Sequence, residues 1–134
     1  MKKDIPFHKV EDVGMAVVPE PDKEGNEEWS VFLVNLSKEN LQGVIVSSTG
    51  YGTYQGRDVK TSTLRQFFEQ IPPEAAVKIE LIETKLFGLN NEFWISFWLD
   101  GEMYDRKYVF VPESILPDNF TTIPLLNKPG VLIV

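Results

Sequence analysis

The chain has 134 residues, 43% hydrophobic and 25% charged, a composition that suits one globular domain with its own core and argues against wholesale disorder. It has no cysteine, which removes disulfides, thiolate metal sites and cysteine nucleophiles. Its formal net charge of −7 repels phosphate backbones, and without a clustered Lys/Arg stripe no nucleic-acid partner is expected.

Residues 1–12 read as an arm. They open on Lys2 and Lys3 but carry no apolar stretch behind them, so they do not make a secretory signal. No run approaches the roughly 18 apolar residues of a membrane helix, and a cytoplasmic protein without membrane contact is the expectation. Val13 to Val18 reads as a first strand ended by Pro19 and Pro21. An acidic loop, Glu20 to Glu28, follows. Trp29 to Leu36 is nearly continuous in apolar residues, as a central strand covered on both sides should be. Leu41 to Ser48 returns as a strand after a polar turn.

Thr49 to Gly56 (TGYGTYQG) reads as a Gly/Tyr-rich loop, and Asp58 to Thr63 as a short polar strand. Leu64 to Gln70 fits either a short helix or a bent strand, closed by Pro72-Pro73. Val77 to Ile82 alternates like a half-buried strand. Then comes FWISFWLDGEMYDRKYVFV, Phe93 to Val111, where Asp100-Gly101 between apolar-rich runs gives the strongest short-range hairpin signal. The tail from Pro112 is proline-punctuated and ends in VLIV. About seven strands at regular spacing point to an all-β fold, an immunoglobulin-like two-sheet antiparallel β-sandwich spanning 1–134 as a single domain, with 112–134 packing on it as an apolar tail. An α+β domain with one short helix near 64–70 is the alternative.

A two-residue turn at Asp100-Gly101 pairs Phe97 with Tyr104 and Phe93 with Tyr108, and these with Ile95 and Leu99 make the better core face. The other face sets Trp94, Ser96 and Trp98 against Lys107, Asp105 and Met103, a mixture unsuited to a dry interior. The tail, with Phe120, Ile123, Leu125, Leu126 and Val131 to Val134, is expected to fold back over Trp94 and Trp98. Otherwise this strip binds a partner, or a homodimer buries it.

Chemistry is sparse. The single histidine, His8, lies in the arm and no nucleophile elbow accompanies it. Asp22, Glu24, Asn26 and Glu28 alternate oxygens like a calcium loop, but Gly25 comes fourth where an EF-hand needs glycine sixth, and no metal is expected. Gly50, Gly52 and Gly56 fit neither the dinucleotide fingerprint nor the P-loop, so no cofactor is expected. Tyr51 and Tyr54 among those glycines are candidate stacking groups. The sequons at Asn35 and Asn119 read as chance without an export signal.

MKKDIPFHKVEDV, VSSTGYGT, LFGLNNEFWISFWLDGEMYDRKYVFV and TTIPLLNKPGVLIV together resemble a group of short bacterial proteins of unassigned role, some of which carry the label phenylalanyl-tRNA synthetase subunit. The resemblance covers almost the whole chain, implies a stand-alone small domain and transfers no catalytic residue. The chain has no room for a class II synthetase core and no ATP-binding arginine motif. The expected function is a non-catalytic protein-interaction module using Trp94 and Trp98, with an unidentified partner or a second copy. The alternative is a sugar- or nucleotide-binding domain in which Tyr51, Tyr54 and the tryptophans stack on the ligand.

Overall fold

The computed structural model describes residues 11–134; His8 and most of the predicted 1–12 arm lie outside the described residues. Strands β1 (Val13–Pro21) and β2 (Glu27–Asn35) form a hairpin around the acidic loop, pairing from Val13 with Asn35 to Pro21 with Glu27. Pro19 and Pro21 were expected to end β1, yet pairing runs through both. Among the described residues no strand lies beyond them: β10 (Lys128–Ile133) pairs with Met15 to Val17, so the missing N–H groups of the prolines interrupt no second ladder there.

The chain then crosses to a second layer. β3 (Leu41–Tyr54) is 14 residues long and absorbs the segment expected to be a Gly/Tyr-rich loop. Its far half pairs with β4 (Arg57–Lys60), from Tyr51 with Lys60 to Tyr54 with Arg57. Its near half pairs with β5 (Leu64–Ile71), so Leu64 to Gln70 is a strand and the helical alternative is excluded. The adjacent Phe67 and Phe68 explain the choice: in a strand one points outward and the other packs against the core, which a short helix at a sheet edge would not achieve.

β6 (Ala75–Ile82) returns to pair with β2, and a 3-10 turn (Thr84–Gly88) leads to β7 (Asn90–Leu99) and β8 (Glu102–Phe110). That hairpin keeps the register read from the sequence: Phe93 faces Tyr108, Phe97 faces Tyr104, Trp94 faces Lys107 and Trp98 faces Met103. Asp100 and Gly101 have φ of 51° and 77°, the positive values such a turn requires.

Two antiparallel sheets result, β6-β2-β1-β10-β9 and β4-β3-β7-β8, with β5 also on β3; β9 is Thr121–Ile123. β2 lies between β1 and β6 and β7 between β3 and β8, which is the A-B-E over C-F-G order of an immunoglobulin-like sandwich. The ten strands among the described residues exceed the roughly seven expected because the edge strand beside β3 breaks into β4 and β5 and because the tail adds β9 and β10.

The core lies between the layers, with Met15, Val17, Val31 and Leu33 from one sheet meeting Val44, Val46, Phe93, Ile95 and Phe97 from the other. Tyr108 is buried here and its hydroxyl donates to the Val13 carbonyl at 2.5 Å, tying β8 to β1. Asn35, fully buried, donates to the carbonyls of Glu39 and Pro72 at 2.9 Å each, which pins the Pro72-Pro73 crossing and occupies the amide of the first sequon.

The first sheet is apolar on its outer side as well. Ala16, Val18, Phe32 and Val34 alternate with the core residues and form a second cluster with Ile123, Leu126 and Leu132 of the tail. β2 is therefore covered on both sides, as its continuous apolar run predicts. The expectation that the tail covers Trp94 and Trp98 is overturned: the tail docks on the opposite sheet. There it gains backbone hydrogen bonds along the open edge of β1 and buries an apolar face, whereas the tryptophan face offers only side chains interleaved with Ser96, Asp105 and Lys107.

Candidate functional site

The tryptophans belong to a four-strand face. Cross-strand register sets its outward side chains in rows over β5, β3, β7 and β8. Arg65, Ser47, Trp94 and Lys107 form one row; Phe67, Ile45, Ser96 and Asp105 the next; Gln70, Gln42, Trp98 and Met103 the third. Phe67 is 66% exposed, Met103 55%, Trp94 47%, Trp98 45% and Ile45 39%. One sheet surface thus leaves five large apolar side chains open to water. At about 200 Å² for a large aromatic side chain, their exposed fractions sum to on the order of 500 Å², the upper end of what a soluble monomer leaves uncovered.

Gly43 sets the position of Trp98. It sits at φ 57° in a break of the β3–β7 register, and a Cβ there would come 3.3 Å from Trp98 Cδ1. Without a side chain at 43 the indole lies against the β3 backbone.

Trp94 is held from the other end. Tyr51 donates to Glu92 Oε1 at 3.2 Å; Lys107 Nζ lies 3.9 Å from the same oxygen and 5.0 Å from the centre of the Trp94 ring. Partial desolvation first, and the neighbouring Glu92 carboxylate second, push the Tyr51 hydroxyl above its ordinary range. Arg65 Nε donates to Ser47 Oγ at 3.3 Å. Tyr51 and Lys107 meet on Glu92 while Arg65 bonds Ser47, so these polar groups satisfy one another along the border of the face.

Of the four residues singled out in the sequence, Tyr51, Trp94 and Trp98 therefore share one face. Tyr54 does not: it lies at the β3–β4 hairpin end, 56% exposed. Phe67 and Ile45 were missed. The signal for Phe67 was the Phe-Phe pair, legible only once Leu64 to Gln70 is read as a strand; Ile45 needed the pairing of β3 with β7.

The acidic loop is a self-bonded turn, with Asp22 Oδ1 accepting from the backbone N–H groups of Glu24 and Asn26 at 2.9 Å. Among the described residues no group of three or more His, Cys, Asp or Glu is placed to hold a metal ion, and no helix is long and apolar enough to cross a membrane.

No protein-family model matches the sequence, and no curated protein matches it.

Proposed function

We propose that this domain is a non-catalytic, cytoplasmic interaction module whose docking surface is the outer face of β5-β3-β7-β8, and that it takes a protein partner there. The observation that carries the reading is the exposure of Ile45, Phe67, Trp94, Trp98 and Met103 together on one sheet face. With its polar border, such a patch approaches the roughly 800 Å² that one side of a stable protein interface contributes. An apolar sheet face packs against another apolar sheet face, so a second copy of the chain suits it as a different protein does. The sugar- or nucleotide-stacking alternative is weaker: the Lys107 ammonium already lies over Trp94, and Tyr54 stands apart from the tryptophans.

The test is a photo-crosslinking amino acid at Met103, irradiated in the native cell, with and without Trp98→Lys. The expected result is a discrete adduct with one protein, its mass distinguishing a second copy from another chain, which disappears in the Trp98→Lys background. No adduct, or one indifferent to Trp98→Lys, overturns the reading.

A further inference from the structure

A cavity of about 120 Å³ opens between the two sheets, at the edge where β4 gives way to β5, and shares Glu92 with the border of the docking face. It exists because the edge strand breaks at residues 61–63. Thr61 N–H donates to the Gly50 carbonyl at 2.8 Å and its Oγ1 accepts from Gly50 N–H at 2.9 Å, which ties down the end of β4. Leu64, Ile82, Leu86 and Phe93 form the apolar walls, with Leu64 half exposed at the mouth.

The polar contents are one-sided. Glu80 Oε1 accepts from Ser48 Oγ at 2.8 Å, across the gap between the sheets. From β3 the cavity receives only the neutral Ser48, Thr49 and Gly50, and from the break Thr61 and Ser62. From β7 it receives Asn91 and Glu92, the latter already tied to Lys107 and Tyr51. On β6 itself the nearest cation in sequence, Lys78, reaches Glu20 instead. Among the described residues no cation lines the cavity. A carboxylate taken partly out of water without a counter-charge is costly, and burial accordingly holds the Glu80 carboxyl above its usual range.

We propose that this cavity binds a primary alkylammonium group, with the nitrogen on Glu80 and the methylenes against Leu64, Ile82 and Phe93. The ammonium supplies the missing positive charge and three donors, to a site whose carboxylate and hydroxyl oxygens offer acceptors. The volume matches about four water shares, room for the nitrogen and three or four methylenes. Two sources carry that chemistry, a free alkylamine and a lysine side chain of another protein, and the half-open mouth at Leu64 admits either.

The experiment titrates n-butylammonium into isotope-labelled protein at neutral pH, with sodium and n-butanol as matched controls. Saturable shifts at the Glu80 carboxyl, Ser48 and Leu64, a fall in the Glu80 pKa and a raised melting temperature are expected. Binding should weaken at least tenfold in Glu80→Gln. It should weaken likewise in Leu64→Lys, where the new ammonium fills the cavity; Leu64 is exposed, so this variant keeps the test decisive if Glu80→Gln folds poorly. N-acetyl-lysine N-methylamide separates the sources: tighter binding than butylammonium assigns a protein lysine, weaker binding a free amine. Shifts that do not saturate, that n-butanol reproduces, or that survive both substitutions overturn the proposal.

Discussion

Glu80 and Tyr108 are the two residues at which burial and ionisation meet most directly. For Glu80 desolvation raises the folded-state pKa, and the Ser48 hydrogen bond opposes it without cancelling it. The folded protein therefore holds a proton that the unfolded chain has released, so stability contributed by the protonated form is lost as pH rises through the raised value. Unfolding in urea across mildly acidic to neutral pH should show stability falling with rising pH in this window, and Glu80→Gln should flatten the slope and stabilise the protein at neutral pH. An unchanged slope would mean the carboxyl is solvated in the native state. Tyr108 has the same sign in another range: burial pushes its hydroxyl up to about 12, despite the opposing charge of Arg106, so its bond to the Val13 carbonyl persists until strongly alkaline pH. Tyr108→Phe leaves that carbonyl buried and unpaired, which should cost about 1–3 kcal/mol in the same unfolding measurement.

Among the elements, the β9–β10 hairpin depends on two close approaches. A Cβ on Gly130 would sit 2.6 Å from the Val17 carbonyl oxygen, and one on Gly14 would sit 2.8 Å from that of Ile133. Both contacts are with backbone, which cannot rotate away, so β10 reaches β1 because neither position carries a side chain. Gly130→Ala should cost about 1–3 kcal/mol, typical of overpacking a close-fitting site. Hydrogen exchange should localise the loss to Met15 to Val17 and Val131 to Ile133; uniform weakening across both sheets would argue against this local cause. This hairpin was the element least legible in the sequence. Asp100-Gly101 revealed the β7–β8 register because a positive-φ turn fixes pairing by chemistry carried in two residues. VLIV announced only that it needed cover, since hydrophobicity has no direction, and the free edge of β1 that decided its place exists only after folding. Tyr51 was misplaced on a loop for a related reason: glycines at 50 and 52 mimic turn chemistry, and only pairing with β7 on one side and β4 on the other makes the segment a strand.

At the scale of the molecule, the two outer faces differ in what covers them. The first sheet buries Ala16, Val18, Phe32 and Val34 beneath its own tail, and Glu20 clamps that side by reaching both Lys78 and Lys128. The second sheet presents Phe67, Trp94 and Trp98 to water, with no segment among the described residues laid over them. Stability and interaction should therefore separate by face. Phe32→Lys forces a charge into a closed apolar cluster and should destabilise by several kcal/mol. Phe67→Lys and Trp98→Lys place their charge where water already is, and each should change unfolding free energy by no more than about 0.5–1 kcal/mol while abolishing the Met103 adduct. Urea unfolding and crosslinking on the same three variants decide the matter. If Trp98→Lys unfolds the protein as Phe32→Lys does, the tryptophan face is part of the core and not a surface held open for a partner.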